Sequence, residues 1–236
     1  MNHKLAFGLA LTALTACTGA RAGDLTGTVK LQGTPPPEKE IVELKNDVSC
    51  GPLHAGMPRT RFYVVGPGGA LADVVVSFQG ISGKSAGETA APLVIDQKGC
   101  EFLPYVAACQ TRQKILVKNG DDVMHNVHNT PAAASGNKEM NKAQQPKGPD
   151  LAFSFEAPED FMRFKCDVHP WMFTYVSVFD HPYFAVTGPD GGYKIAHVPP
   201  GKYKVLAKHR KGGSVEKEIE VKEGVNTLDF VIELKP

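Results

Sequence analysis

Two short stretches gather side chains suited to a soft metal ion: Met124–Asn129 (MHNVHN) and Phe164–Met172 (FKCDVHPWM). In the second, Cys166, His169 and Met172 stand at C-x2-H-x2-M. A thiolate, an imidazole and a thioether on one short loop can converge on a single ion. A further imidazole has to come from elsewhere, and His125 or His128 supplies it. Thiolate and thioether are poor partners for magnesium or calcium and good ones for copper; two His, one Cys and a weak axial Met are a blue-copper ligand set. Residues three apart on a strand face opposite sides, so only one of His125 and His128 can point at Cys166. Each residue also has a structural alternative: a buried thiol or half-disulfide for Cys166, a surface imidazole for His169, a gap-filling core side chain for Met172. The other histidines, His3, His54, His181, His197 and His209, show no ligand spacing.

The elements that would position these residues read as strands. Short alternating runs rich in Val, Ile, Phe and Tyr are separated by Gly, Pro and Asn, and no segment sustains a 3.6-residue period. Strands are expected at Leu25–Leu31, Thr60–Val65, Val74–Gln79, Leu93–Asp96, Tyr105–Ala108 and Gln113–Lys118. More follow at Leu151–Glu156, Phe161–Cys166, Thr174–Phe179, Tyr193–Ala196, Lys202–His209, Glu216–Val221 and Thr227–Glu233. The fold class is therefore all-β, with too many strands for one small sandwich. Thr34–Lys39 (TPPPEK) reads as an extended polyproline-type connector. Thr130–Pro149 is expected to be a long polar loop, a functional element or a solvated flap, with Lys138, Lys142 and Lys147 available to select a partner by charge.

The paired motifs resemble the cupredoxins, and within them the amicyanin branch, which has H-N-V-H after a strand and C-x-x-H-P-[FW]-M on the ligand loop. The resemblance runs over residues 92–180. It implies a Greek-key β-sandwich holding one copper ion that cycles between Cu(II) and Cu(I). By motif it assigns His125, Cys166, His169 and Met172 as ligands. Asn126 becomes a hydrogen-bonding residue that ties the two ligand segments together, and Pro170 matches a residue of the loop. With copper held there, His169 is expected nearest the surface, ringed by Pro170, Trp171 and Phe173, an apolar patch suited to weak docking of an unidentified redox partner protein; the alternative for Trp171 is a plain core side chain. The segment 130–149 and the strand-rich arm before Leu93 depart from that pattern.

A second resemblance lies in the C-terminal part. Asp190-Gly191-Gly192-Tyr193 and Pro199-Pro200-Gly201-Lys202-Tyr203-Lys204-Val205 are similar to the turn and strand of the carboxypeptidase regulatory-like (transthyretin-like) β-sandwich. That family's earlier strands match Gly27-Thr28-Val29 and Leu71–Val76. The expectation is one small sandwich split between 24–80 and 183–236, against two consecutive domains. This likeness implies a fold and no chemistry.

Composition sets the remaining bounds. The 236 residues are 42% hydrophobic and 22% charged, enough to bury a core. The formal charge of +1 leaves no basic excess, so nothing marks a nucleic-acid binder. Residues 1–22 read as an export signal: Lys4, then the apolar Leu5–Ala16, too short to span a bilayer. Cleavage after Ala22 would yield a soluble periplasmic or extracellular product, whereas Leu14-Thr15-Ala16-Cys17 resembles a lipobox that would anchor Cys17 to lipid. No later stretch is apolar enough for a transmembrane helix. Export favours disulfides, and Cys50 with Cys100, each in a turn, is the expected pair, Cys100–Cys109 the alternative. The functional expectation is an envelope electron carrier and not an enzyme; no H-x-H pairs for a trinuclear cluster occur. The rival is a non-redox β-module that binds, stores or delivers copper, or serves only structure or binding.

Overall fold

A computed structural model describes residues 21–234. The signal reading falls almost wholly, and Cys17 entirely, outside the described residues. The chain is all-β. In order the strands are β1 (Gly23–Gln32), β2 (Val74–Gln79), β3 (Leu93–Gln97), β4 (Phe102–Leu103), β5 (Val106–Gln110), β6 (Ile115–Asn119), β7 (His125–Thr130), β8 (Met140–Gln144) and β9 (Leu151–Phe153). They continue with β10 (Glu159–Lys165), β11 (Phe173–Phe179), β12 (Phe184–Val186), β13 (Gly192–Val198), β14 (Gly201–His209), β15 (Gly213–Val221), β16 (Gly224–Thr227) and β17 (Phe230–Glu233). A five-residue helix, α1 (Val42–Asn46), interrupts the arm between β1 and β2. No helix among the described residues is long and apolar enough to cross a membrane.

Four sheets pack around two main cores. The sheets β5-β11-β10-β7-β8 and β4-β3-β6-β9 enclose one core, which includes Ile95, Phe102, Val127, Met162, Phe164 and Val176. The other core, with Leu25, Val29, Phe78, Ile195, Val205 and Phe230, lies between sheet β12-β2-β14-β15 and the sheet built on β1 with β13, β16 and β17. Strands from opposite ends of the chain meet there: β1 runs antiparallel to β13 and parallel to β17, and β2 is flanked by β12 and β14. The run Val74–Phe78 is buried at every residue, as fits a strand between two neighbours with both faces covered. β15, by contrast, is a Lys/Glu-rich edge, the kind of surface that discourages further pairing. A small third cluster around Val75, Tyr105 and Val106 packs at the junction of the two sandwiches.

Two sequence expectations require correction. Thr130–Pro149 is not a continuous loop, because β8 lies within it and pairs antiparallel with β7 from His125↔Gln144 to Asn129↔Met140. β8 is an outer strand with Asn141, Lys142 and Ala143 all exposed, so it carries no apolar alternation to reveal it. Thr60–Val65 forms no strand beyond isolated bridges. Its amides find a side chain instead: the Glu38 carboxylate accepts from Phe62 N–H at 3.0 Å and Tyr63 N–H at 2.6 Å, and from the Thr60 hydroxyl.

Candidate metal centre

Strand alternation selects the inward-facing donors. On β10, Met162 and Phe164 face the core while Arg163 and Lys165 do not, and Cys166 continues the inward set just past the strand end. On β7, His125, Val127 and Asn129 are all fully buried and His128 points the other way. The antiparallel pairing of β7 with β10 through His128↔Lys165 then sets His125 beside Cys166. The segment Cys166–Met172 links β10 to β11, whose ladder closes at Lys165↔Phe173.

Three donors converge. The ligating atoms of His125, Cys166 and His169 all lie within 4.8 Å of one another. His125 Nδ1 and His169 Nδ1 face each other at 3.0 Å, and Cys166 Sγ lies 3.6 Å from His169 Nδ1. Met172 is fully buried on the same segment. Its backbone is fixed at both groups, Met172 N–H donating to His169 O at 2.9 Å and Cys166 N–H to Met172 O at 3.1 Å.

Neighbouring polar groups hold the donors in place. Asp121 Oδ2 accepts from His125 Nε2–H at 3.1 Å, so a neutral His125 keeps its Nδ1 lone pair for the centre of the site. The same carboxylate accepts the N–H groups of Gly99 and Cys100, each at 2.7 Å. Asp121 was not among the residues singled out in the sequence; the only signal is an acid four positions before His125. Asn126 Oδ1 accepts from Asp167 N–H at 2.6 Å, and its Nδ2 donates to Asn141 and to the Asp167 carboxylate. Its own N–H points at Cys166 Sγ at 3.4 Å. Asn126 thus clamps β7 to the ligand segment. His128 sits outside, between Asp167 at 2.7 Å and Glu139 at 2.6 Å.

Electrostatics follow from this geometry. Burial works against the Cys166 thiolate, but hydrogen bonds from His125 and from the amides of Asn126, His169 and Val168 bring the thiol below its ordinary range. Burial also disfavours a charged His125, yet Asp121 and Cys166 together raise its affinity for a proton. Burial and the neighbouring His125 lower that of His169.

The surroundings of His169 differ from an open patch. His169 is only 6% exposed, with donor atoms of Asp47 and Cys50 from the arm within 4.8 Å. A disulfide joins Cys50 to Cys100 and fastens the arm there, leaving Cys109 a buried free thiol. Trp171 is half-buried against the core cluster that contains Leu44 and Cys50, its ring 5.3 Å from that of His169 and its Nε1–H donating to Cys100 O at 3.2 Å. Phe173 is half-buried beside Tyr105. The docking patch expected at Trp171 and Phe173 is therefore partly roofed by the arm. Pro170 and Val168 are the exposed flank of the ligand segment.

Neither a family model nor a curated protein matches the chain. Among solved structures it is similar in part to a Cu-containing nitrite reductase (NirK) from Thermus scotoductus SA-01. The identity is 17%, 38% of this chain and 22% of that one are covered, and the TM-score is 0.33. The chain thus spans less than a quarter of the reductase's length. It is also similar to amicyanin, in a mutant in its Cu(I) form at 17% identity and TM-score 0.33, and in a reduced mutant at 19% identity and TM-score 0.34. In both, 44% of this chain and 97% of the other are covered.

Proposed function

We propose that this chain is an exported type 1 copper protein that carries single electrons in the cell envelope. One observation carries the reading: two imidazole Nδ1 atoms and one thiol meet in a buried place, and the segment that carries the thiol and His169 also carries the buried Met172. That donor chemistry fits copper, with His125, Cys166 and His169 as the strong ligands and Met172 as the weak one. When bound, the ion supplies a one-electron redox couple.

The chain's own residues supply rigidity and a dry setting. Asp121 orients His125, and the Asn126 amide points at the Cys166 sulfur. Asn126 also bonds the ligand segment through Asp167, so the donors keep their places without an ion to hold them. Of the two imidazoles, His169 is nearer the surface, and Trp171 extends its ring system toward the arm. A weak, fast contact with a redox partner protein needs only a small interface.

The second sandwich is read as a carboxypeptidase regulatory-like module built from 24–80 and 183–236, with the copper module at 92–180. Support comes from the Asp190 turn, where the Asp190 carboxylate accepts from Gly192 N–H at 2.9 Å and Gly191 takes φ +70°. Residues 1–22 are read as the export signal. A non-redox alternative, binding, storage or delivery of copper, is favoured by the arm that covers His169. Voltammetry of the copper-loaded protein separates the two. A reversible one-electron wave with fast exchange supports the carrier, and its absence from a fully loaded sample supports storage or delivery.

A further inference from the structure

A cleft of about 220 Å³ opens between the arm and the ligand-bearing sandwich. Its walls are aromatic: Phe62 from the arm, Phe102, Tyr105, Trp171 and Phe173 from the sandwich. Its charged groups are matched. Arg59 pairs with Glu40 at 2.5 Å and Arg61 with Glu101 at 3.4 Å, while Lys39 and Glu43 add one charge of each sign to the lining. Arg61 also lies over the Tyr105 ring at 5.2 Å, so the cationic face there is already taken.

We propose that this cleft is a binding site for a small, neutral, hydroxyl-bearing aromatic molecule of the phenol class. Size argues for one substituted ring, since an apolar cavity of about 150 Å³ holds a benzene. Aromatic walls favour a planar ring. Matched charges leave no net attraction for an anion or a cation. A hydroxyl both donates and accepts, which suits Arg61 and Glu101 side by side. The occupant's ring would lie against Trp171, whose ring is tilted beside that of His169 at 5.3 Å, and so one ring removed from the metal centre. The site is complete in the chain without an ion, and its existence does not depend on the copper reading.

Trp171 is the sole tryptophan, so its indole N–H resonance reports binding without ambiguity. The metal-free full chain is titrated with 4-methylphenol, toluene, 4-methylbenzoate and 4-methylbenzylamine. Saturable movement of the Trp171 resonance is expected, tightest for 4-methylphenol. Ile41→Phe, which fills the cleft from the arm, weakens 4-methylphenol by at least about tenfold. Should that variant fail to fold, Arg61→Gln with Glu101→Gln removes the polar pair and weakens 4-methylphenol but not toluene. Three results would overturn the proposal: movement that never saturates, tighter binding of the benzoate or the amine, or unchanged affinity in a folded Ile41→Phe. A copper-binding failure in a separate titration would leave these results untouched.

Discussion

The two sandwiches bury very different things. The one built on β1, β2 and β12 to β17 has a core of aliphatic and aromatic side chains, and few polar groups enter it beyond Ser77, Thr187 and His209. The other buries Asn119, Asp121, His125, Asn126, Asn129, Gln144 and His169 along with its apolar core. Buried polar groups cost stability unless bonded, and here nearly all are bonded to one another or to backbone. Burial in one half therefore makes a scaffold, and in the other it fixes donor atoms. That contrast predicts that damage to the first core changes stability alone, while damage to the polar network changes the site first.

The largest expected effect tests the apolar half. Phe78→Ala removes a ring that is buried and packed edge-on against Tyr183 and Tyr203, at a cost of about 3–5 kcal/mol in denaturant unfolding. Metal affinity of the folded fraction should be unchanged; a loss there would mean that the two cores are coupled. Next, replacing Cys50 and Cys100 together by Ala releases the arm and costs about 2–4 kcal/mol. Because the arm roofs His169, amide and imidazole exchange around the ligand segment should accelerate, and the β14–β15 hairpin should not change.

A smaller effect sharpens the polar side. Asp121→Asn leaves shape intact but weakens the bond that orients His125, and copper affinity should fall about 10–100-fold by competition titration. The smallest concerns the scaffold's own buried imidazole. His209 accepts from Gly212 N–H at 2.8 Å and from Lys211 N–H, beneath Tyr63. Burial, then the adjacent Arg210, push its pKa from 6.5 down to about 4, with Glu38 opposing. A depressed folded value means that the unfolded chain binds the proton first, so stability is lost as pH falls from 6.5 toward 4. Between pH 7 and 5 the loss from this group is about 2 kcal/mol, and His209→Asn should flatten that slope.

Legibility in the sequence followed the same division. β2 was readable to the residue because a strand buried on both faces is a continuous apolar run. β10 could be placed because its apolar run leads straight into the Cys166 ligand spacing, whereas β7, the run HNVHNT, was not among the expected strands because its polar side chains hide it. The Cys50–Cys100 pair was legible from two turn-borne cysteines. β8 was not, because an outer strand of Asn, Lys and Ala has no apolar face to betray it. Thr60–Val65 misled in the opposite sense: it has strand composition, but the Phe62 and Tyr63 amides are taken by Glu38, 24 and 25 positions earlier in the chain, which no local pattern encodes. The roofing of His169 by the arm at Asp47 and Cys50 and the role of Asp121 arise from contacts across the fold, which spacing along the chain does not report.

The central claim is that His125, Cys166 and His169 hold one copper ion between them. It is tested most directly by titrating the metal-free protein with Cu(II) and following visible absorption and EPR beside Cys166→Ser. The account predicts saturation at one ion per chain, with an intense copper–thiolate band and narrow hyperfine splitting that both vanish in Cys166→Ser. A copper-loaded protein without that band, or one whose spectra are the same in Cys166→Ser, would contradict it.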